Sequence, residues 1–245
     1  MATETVTSVR IPGRFNGPPQ SANGGYACGY VAALLPDAPA VAVRLHAPPP
    51  MDVDLPAALA ADGTAVTVHD VDGTTTVATA CAAEPLDGLE PPLRPSVADA
   101  RAAMRAHPWL GERHMLSECF VCSPYRHDGL GLHFGPLAAA PGVNGAVLIG
   151  DATLPSAGDV LDPVNVWGAL DCPSYVPALV AQDGLALLGS LHAELLAPVP
   201  LGEPVVTVGW HESSDGRKHR TASALLTPDG DVFARARATW VTLPG

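Results

Sequence analysis

The sequence predicts an α+β fold made of a repeated unit, one helix followed by a run of antiparallel strands. Three observations carry that prediction. The 26 prolines and 24 glycines are about a fifth of the 245 residues, too many breakers for a helical bundle. Asp-Gly pairs at 62–63, 72–73, 215–216 and 229–230 separate runs suited to strands, a strong short-range hairpin signal. The halves also share short segments. Arg44-Leu45-His46-Ala47 is similar to Ser190-Leu191-His192-Ala193, and Val77 to Ala82 is similar to Phe233 to Ala238.

The first helix is expected over residues 26–35, with Asn23 as its N-cap, Gly24 and Gly25 opening it and Pro36 ending it. Strands are expected at 40–47, 53–61, 64–71 and 75–83. Prolines 85, 91, 92 and 95 mark a linker, followed by a short helix over 97–107 with Ser96 and Asp99 as a capping pair. Strands at 131–137 and 146–154 then precede a second helix opened by Asp162-Pro163, with proline at the favoured first position. The last strands are expected at 187–196, 205–210, 217–227 and 232–242. In the final one Val232, Ala234, Ala236, Ala238 and Trp240 share one face, and Arg235, Arg237 and Thr239 the other. The division expected is 10–84 for the first unit, 85–129 for the linker and 130–243 for the second unit.

Composition narrows the partners. A net charge of −12 opposes a nucleic-acid partner, which would need a basic face. With 47% hydrophobic and 16% charged residues the chain is not of disordered type. No apolar run reaches the ~20 residues of a membrane span, and residues 1–10 lack a secretory signal, so a soluble cytoplasmic protein is expected. Five cysteines in this length do not make a disulfide scaffold.

The segments Leu191-His192-Ala193-Glu194, Gly216-Arg217-Lys218 and Asp229 to Ala236 resemble the end of a hotdog-fold thioesterase, and Ser21 to Tyr26 with its following strands resembles another copy. The whole chain is thus similar to a double hotdog, two helix-wrapped antiparallel sheets fused as a pseudodimer. The resemblance implies acyl-thioester hydrolysis on coenzyme A or an acyl carrier protein; no cofactor is expected, and the lack of a long apolar run argues against a membrane partner. It leaves open further association of such chains. It also implies a backbone N–H at the start of one helix for the thioester oxygen, and an acid on the other helix. This chain has Asn23-Gly24-Gly25 where family members often have His-Gly-Gly; its second helix lacks the glycines but carries Asp171, and the first has no acid. One composite site per chain follows, unless the module only binds an acyl or polyketide-like ligand.

The candidate catalytic residues are therefore Asn23, Gly24, Gly25 and Asp171. N–H groups at a helix start can hold a developing oxyanion, and glycine lets a carbonyl approach. An acid in an apolar stretch has a perturbed pKa suited to a base or nucleophile; the plainer reading of Asp171 is the N-cap of a helix over 172–181. Tyr26 and the cluster Arg217, Lys218 and Arg220 are the candidate substrate-binding residues; the plainer reading of the basic cluster is a solvated hairpin. Cys119-x-x-Cys122, flanked by His114 and His127, has zinc-compatible residue types but lacks a second ligand pair, so no metal is expected. The hydrolase elbow, phosphate loop and zinc-protease motifs are absent from the sequence.

Overall fold

The computed structural model describes residues 5–111, 113, 115–181 and 185–244. In chain order the elements are β1 (Thr5–Val9), α1 (Gly24–Ala32), β2 (Ala40–Leu45), β3 (Leu55–Leu59), β4 (Ala65–His69), β5 (Thr76–Ala83) and α2 (Val97–Met104). There follow β6 (Gly135–Pro136), β7 (Val143–Leu148), β8 (Ser156–Ala157), β9 (Val160–Leu161), α3 (Pro163–Asp171) and α4 (Pro177–Val180). The chain ends with β10 (Ala186–Leu195), β11 (Val205–Asp215), β12 (Lys218–Leu226) and β13 (Val232–Thr242).

Among the described residues the main sheet has eleven strands, ordered β1-β3-β4-β5-β2-β10-β13-β12-β11-β7-β6, every pair antiparallel. Apart from β6, the order is the same when read outward from its centre. There β2 pairs with β10, Arg44 opposite Ser190 and Val41 opposite Ala193, so the strands of the two halves form one continuous ladder. Leaving aside β6, the β8–β9 hairpin and the short α4, each half also has the same sequence of elements, an outer strand, a helix, then four strands.

Helices α1 and α3 lie together on one face, over the inward residues of β2, β10 and β13. Ala234, Ala236, Ala238 and Trp240 all point there and are buried, as the alternation expected, but Val232 packs on the opposite face and Phe233 takes the inner one, because the ladder with β12 bulges between Leu225 and Leu226. Small side chains let the helices approach, and the helices approach each other just as closely. A Cβ on Gly25 would sit 2.6 Å from the Trp167 carbonyl oxygen, and one on Gly29 would sit 2.9 Å from the Trp167 Cβ. Gly25 and Gly29 are one turn apart, which puts both on the α1 face that meets α3. The other face of β11 and β12 is covered by the linker: Ala100 and Ala103 of α2, with Leu86 and Leu89, pack on Val206, Val208, Ala222 and Ala224.

Local chemistry explains the boundaries. Asn23 caps α1 by accepting from the Tyr26 N–H, Ser96 caps α2 through the Asp99 N–H, and Asp162 caps α3 through the Val164 N–H. The glycines of all four Asp-Gly turns have positive φ, from 54° at Gly216 to 98° at Gly230. Three expectations need correction. The strand expected at 131–137 is reduced to Gly135–Pro136, because Leu130 and Leu132 bond back to the 119–122 loop. The helix expected over 172–181 breaks into a 3-10 turn at Cys172–Ser174 and the single turn α4, because Pro177 cannot donate to a continuing ladder. The strand expected at 146–154 runs Val143–Leu148 instead. No helix among the described residues is long and apolar enough to cross a membrane.

Candidate active site

α1 and α3 bring the N-terminus of one helix against the C-terminus of the other. Asp171, the last residue of α3, is 1% exposed, and its Oδ2 accepts from the Gly25 N–H at 2.9 Å and from Asn23 Nδ2 at 3.0 Å. Asn23 is thus shared: its Oδ1 caps α1 at Tyr26, and its amide holds the carboxylate. The other oxygen, Asp171 Oδ1, is buried without a hydrogen-bond partner among the described residues. Burial pushes the Asp171 pKa up to about 7, against the lowering effect of the Gly25 and Asn23 bonds. Asp171 does not cap a following helix through its side chain; its backbone carbonyl accepts from Ser174 Oγ.

The carboxylate lines a cavity of about 50 Å³, with Asn23, Gly24, Trp109, Tyr175 and Trp240 among its walls. At Gly24, Leu187 and Leu188 this cavity meets an apolar groove of about 230 Å³ bordered by Pro18, Leu45, Pro48 and Pro49. At Leu45, Gly189 and Val241 the groove meets a third space of about 350 Å³, lined by Arg44, Lys218, Arg220 and Asp215. Buried acid, apolar groove and basic mouth therefore border one another in series. Gly24 sits at the first junction, and its N–H meets no acceptor among the described residues.

The structure thus brings together Asn23, Gly24, Gly25 and Asp171, and puts Lys218 and Arg220 on the basic mouth. It does not bring in Tyr26. That ring is fully buried, stacked 4.2 Å from Phe15, and its hydroxyl donates to Asn165 Oδ1 at 2.9 Å, because its helical position faces the core. Arg217 also differs from expectation: its Nη1 donates to the Thr242 carbonyl at 3.2 Å, holding the hairpin. Gly25 cannot present a free N–H, since Asp171 takes it. Arg44 was not legible as a site residue. It lies far from Lys218 in sequence, and only the β2–β10 ladder brings them to one groove.

The pseudo-equivalent end of the helix pair differs. Counting from each helix start, the α1 residue at the level of Asp171 is Ala32, and the groove there, about 560 Å³, is lined mainly by apolar residues such as Val164, Trp167 and Leu195. Cys119, Cys122 and Cys172 also converge on the acid cavity, their sulfurs all within 4.8 Å of one another. Of the flanking histidines, His127 is exposed away from this cluster and His114 lies outside the described residues.

No family model and no curated relative matches the chain. Solved structures do. A conserved protein of unknown function with a hot dog fold, from Alicyclobacillus acidocaldarius, is 11% identical with a TM-score of 0.52, covering 100% of this chain and 97% of that one. The chain has the hotdog fold. A thioesterase candidate from Novosphingobium aromaticivorans is 12% identical (TM-score 0.65, 100% and 97% covered). The dehydratase domain of PpsC from Mycobacterium tuberculosis, solved with C12:1-CoA, is 15% identical (TM-score 0.59, 98% and 93% covered). Identities this low carry the hotdog fold and nothing finer.

Proposed function

We propose that this double-hotdog chain hydrolyses acyl thioesters through one composite site between its two units, with acyl-CoA or an acyl carrier protein as substrate. The single observation behind this reading is the Asp171 carboxylate, buried yet lining a cavity that opens at a helix N-terminus. In the mechanism the thioester carbonyl oxygen lies against the Gly24 N–H, where the helix dipole favours negative charge. Asp171 takes a proton from water as that water attacks the carbonyl carbon. The carbon–sulfur bond then breaks and the thiol leaves with the proton returned from Asp171. Gly25 and Asn23 act as positioning residues that hold Oδ2 and leave Oδ1 facing the reaction.

The apolar groove suits the pantetheine arm, and Arg44, Lys218 and Arg220 suit the phosphates beyond it. Dehydration fits less well, since among the described residues the cavity that Asp171 lines has no histidine in its wall to act as the second proton carrier. A second reading is a module that binds an acyl ligand without turnover, favoured by the Asp171–Gly25 bond, which removes one of the two glycine donors. Hydrolysis of a panel of acyl-CoA compounds, run beside ligand-induced melting shifts, separates the two. Turnover supports the hydrolase. A shift in melting without turnover overturns it in favour of the binder.

A further inference from the structure

The three thiols at the cavity have a geometry that needs its own account. Cys119 and Cys122 come from the loop after α2 and Cys172 from the residue after α3, so segments separated by fifty residues converge on one point. All three are buried, at 2%, 2% and 6% exposure. The Cys119 and Cys172 sulfurs are 3.8 Å apart. A tetrahedral zinc site with Zn–S bonds of about 2.3 Å has sulfur–sulfur edges of about 3.8 Å. Asn23 Nδ2 points at both of these sulfurs from 3.7 Å. N–H donors converging on sulfur stabilise a thiolate, the form that binds metal.

We infer that Cys119, Cys122 and Cys172 together hold one zinc ion, its fourth coordination position open to the cavity that Asp171 lines. Three protein ligands with an open position is the pattern of accessible zinc sites, and a cavity of about 50 Å³ has room there for a water-sized ligand. A disulfide would use two of the sulfurs and strand the third in an apolar setting; zinc uses all three. The Cys-x-x-Cys motif lacked a further ligand in the sequence only because Cys172 lies beyond the whole of α3. This inference does not depend on the chain being a hydrolase.

Elemental analysis of the untagged protein tests it, and about one zinc per chain is expected. Cys172→Ser should lose most of that zinc, while Cys81→Ser, altering an exposed thiol on β5, should keep it. Because a buried substitution can unfold the chain, a second measurement uses wild-type protein. Metal-stripped, reduced chain incubated with Co²⁺ should show thiolate-to-cobalt charge-transfer absorption with tetrahedral visible bands. Absence of zinc in the isolated protein, together with no charge-transfer absorption on Co²⁺ addition, overturns the inference. So does zinc that persists undiminished in a folded Cys172→Ser variant.

Discussion

At the residue scale, Asp171 has two consequences that separate chemistry from stability. Asp171→Asn keeps the shape and can still accept from the Gly25 N–H, but it removes the group proposed to move the proton. Loss of one such contribution costs on the order of 10²–10³ in turnover, to be measured as kcat on a cleaved acyl-CoA. Burying a carboxylate with one oxygen unpartnered is unfavourable, so the variant should melt at the same temperature or higher. A large drop in melting temperature would make Asp171 a structural residue instead. Gly25→Ala should behave in the opposite way: its Cβ would run into the Asp171 Cβ and the Trp167 carbonyl, neither of which can swing aside. Overpacking of this kind costs about 1–3 kcal/mol, read from denaturant unfolding. Asn23, the glycines and Asp171 were legible in the sequence because helix starts and an isolated acid leave local signals. Arg44 and Cys172 were not, since each acquires its neighbours only through tertiary pairing.

At the scale of elements, the strands around the Asp-Gly turns were legible because a positive-φ glycine between apolar runs leaves few alternatives. The edge strand β1 was missed: Thr5–Val9 is a polar-apolar mixture with no turn signal, and only its pairing with β3 makes it a strand. The internal repeat was visible but slipped. The His46 and Ala47 N–H groups both meet the Val77 carbonyl, and those of Leu196 and Ala197 both meet the Phe233 carbonyl, so Val77 matches Phe233 as the similarity suggested, but Leu45 matches Leu195, four positions beyond the Leu191 that it suggested. In a strand of period two, a slip by an even number keeps every residue on its face, so composition cannot detect it. One contact between elements was invisible from sequence. Glu194 of β10 meets Arg235 of β13 at 2.8 Å, the side chains 8% and 9% exposed, and also accepts from the linker Leu86 N–H at 3.0 Å. Glu194→Ala leaves Arg235 buried with only the exposed Asp87 as its partner and should cost about 3–5 kcal/mol in urea unfolding. The double variant with Arg235→Met should recover much of that loss; an equal loss would mean the Leu86 bond, not the ion pair, matters most.

For the whole molecule, joining the strands of the two halves into one sheet creates a groove lined from both. Arg44 belongs to β2 of the first half, Lys218 and Arg220 to β12 of the second, and the β2–β10 seam brings them to one mouth. On a chain with net charge −12, such a cluster is a local exception to the surrounding field, and it would attract anionic ends of a substrate against that background. Its effect on a substrate should therefore depend on how far the substrate reaches. On the proposed reading coenzyme A would carry phosphates to the mouth, while a thioester truncated after the pantetheine-like thiol would end within the apolar groove. Replacing Arg44 and Lys218 by Glu together should raise KM for acyl-CoA by about tenfold, equivalent to about 1.4 kcal/mol, and leave KM for the truncated thioester nearly unchanged. The kcat values should change little for either substrate, because neither residue lines the Asp171 cavity. The difference should shrink as salt is raised toward 1 M, where the screening length falls to about 3 Å. Equal KM changes for both substrates would mean that the mouth shapes the groove and does not read the phosphates.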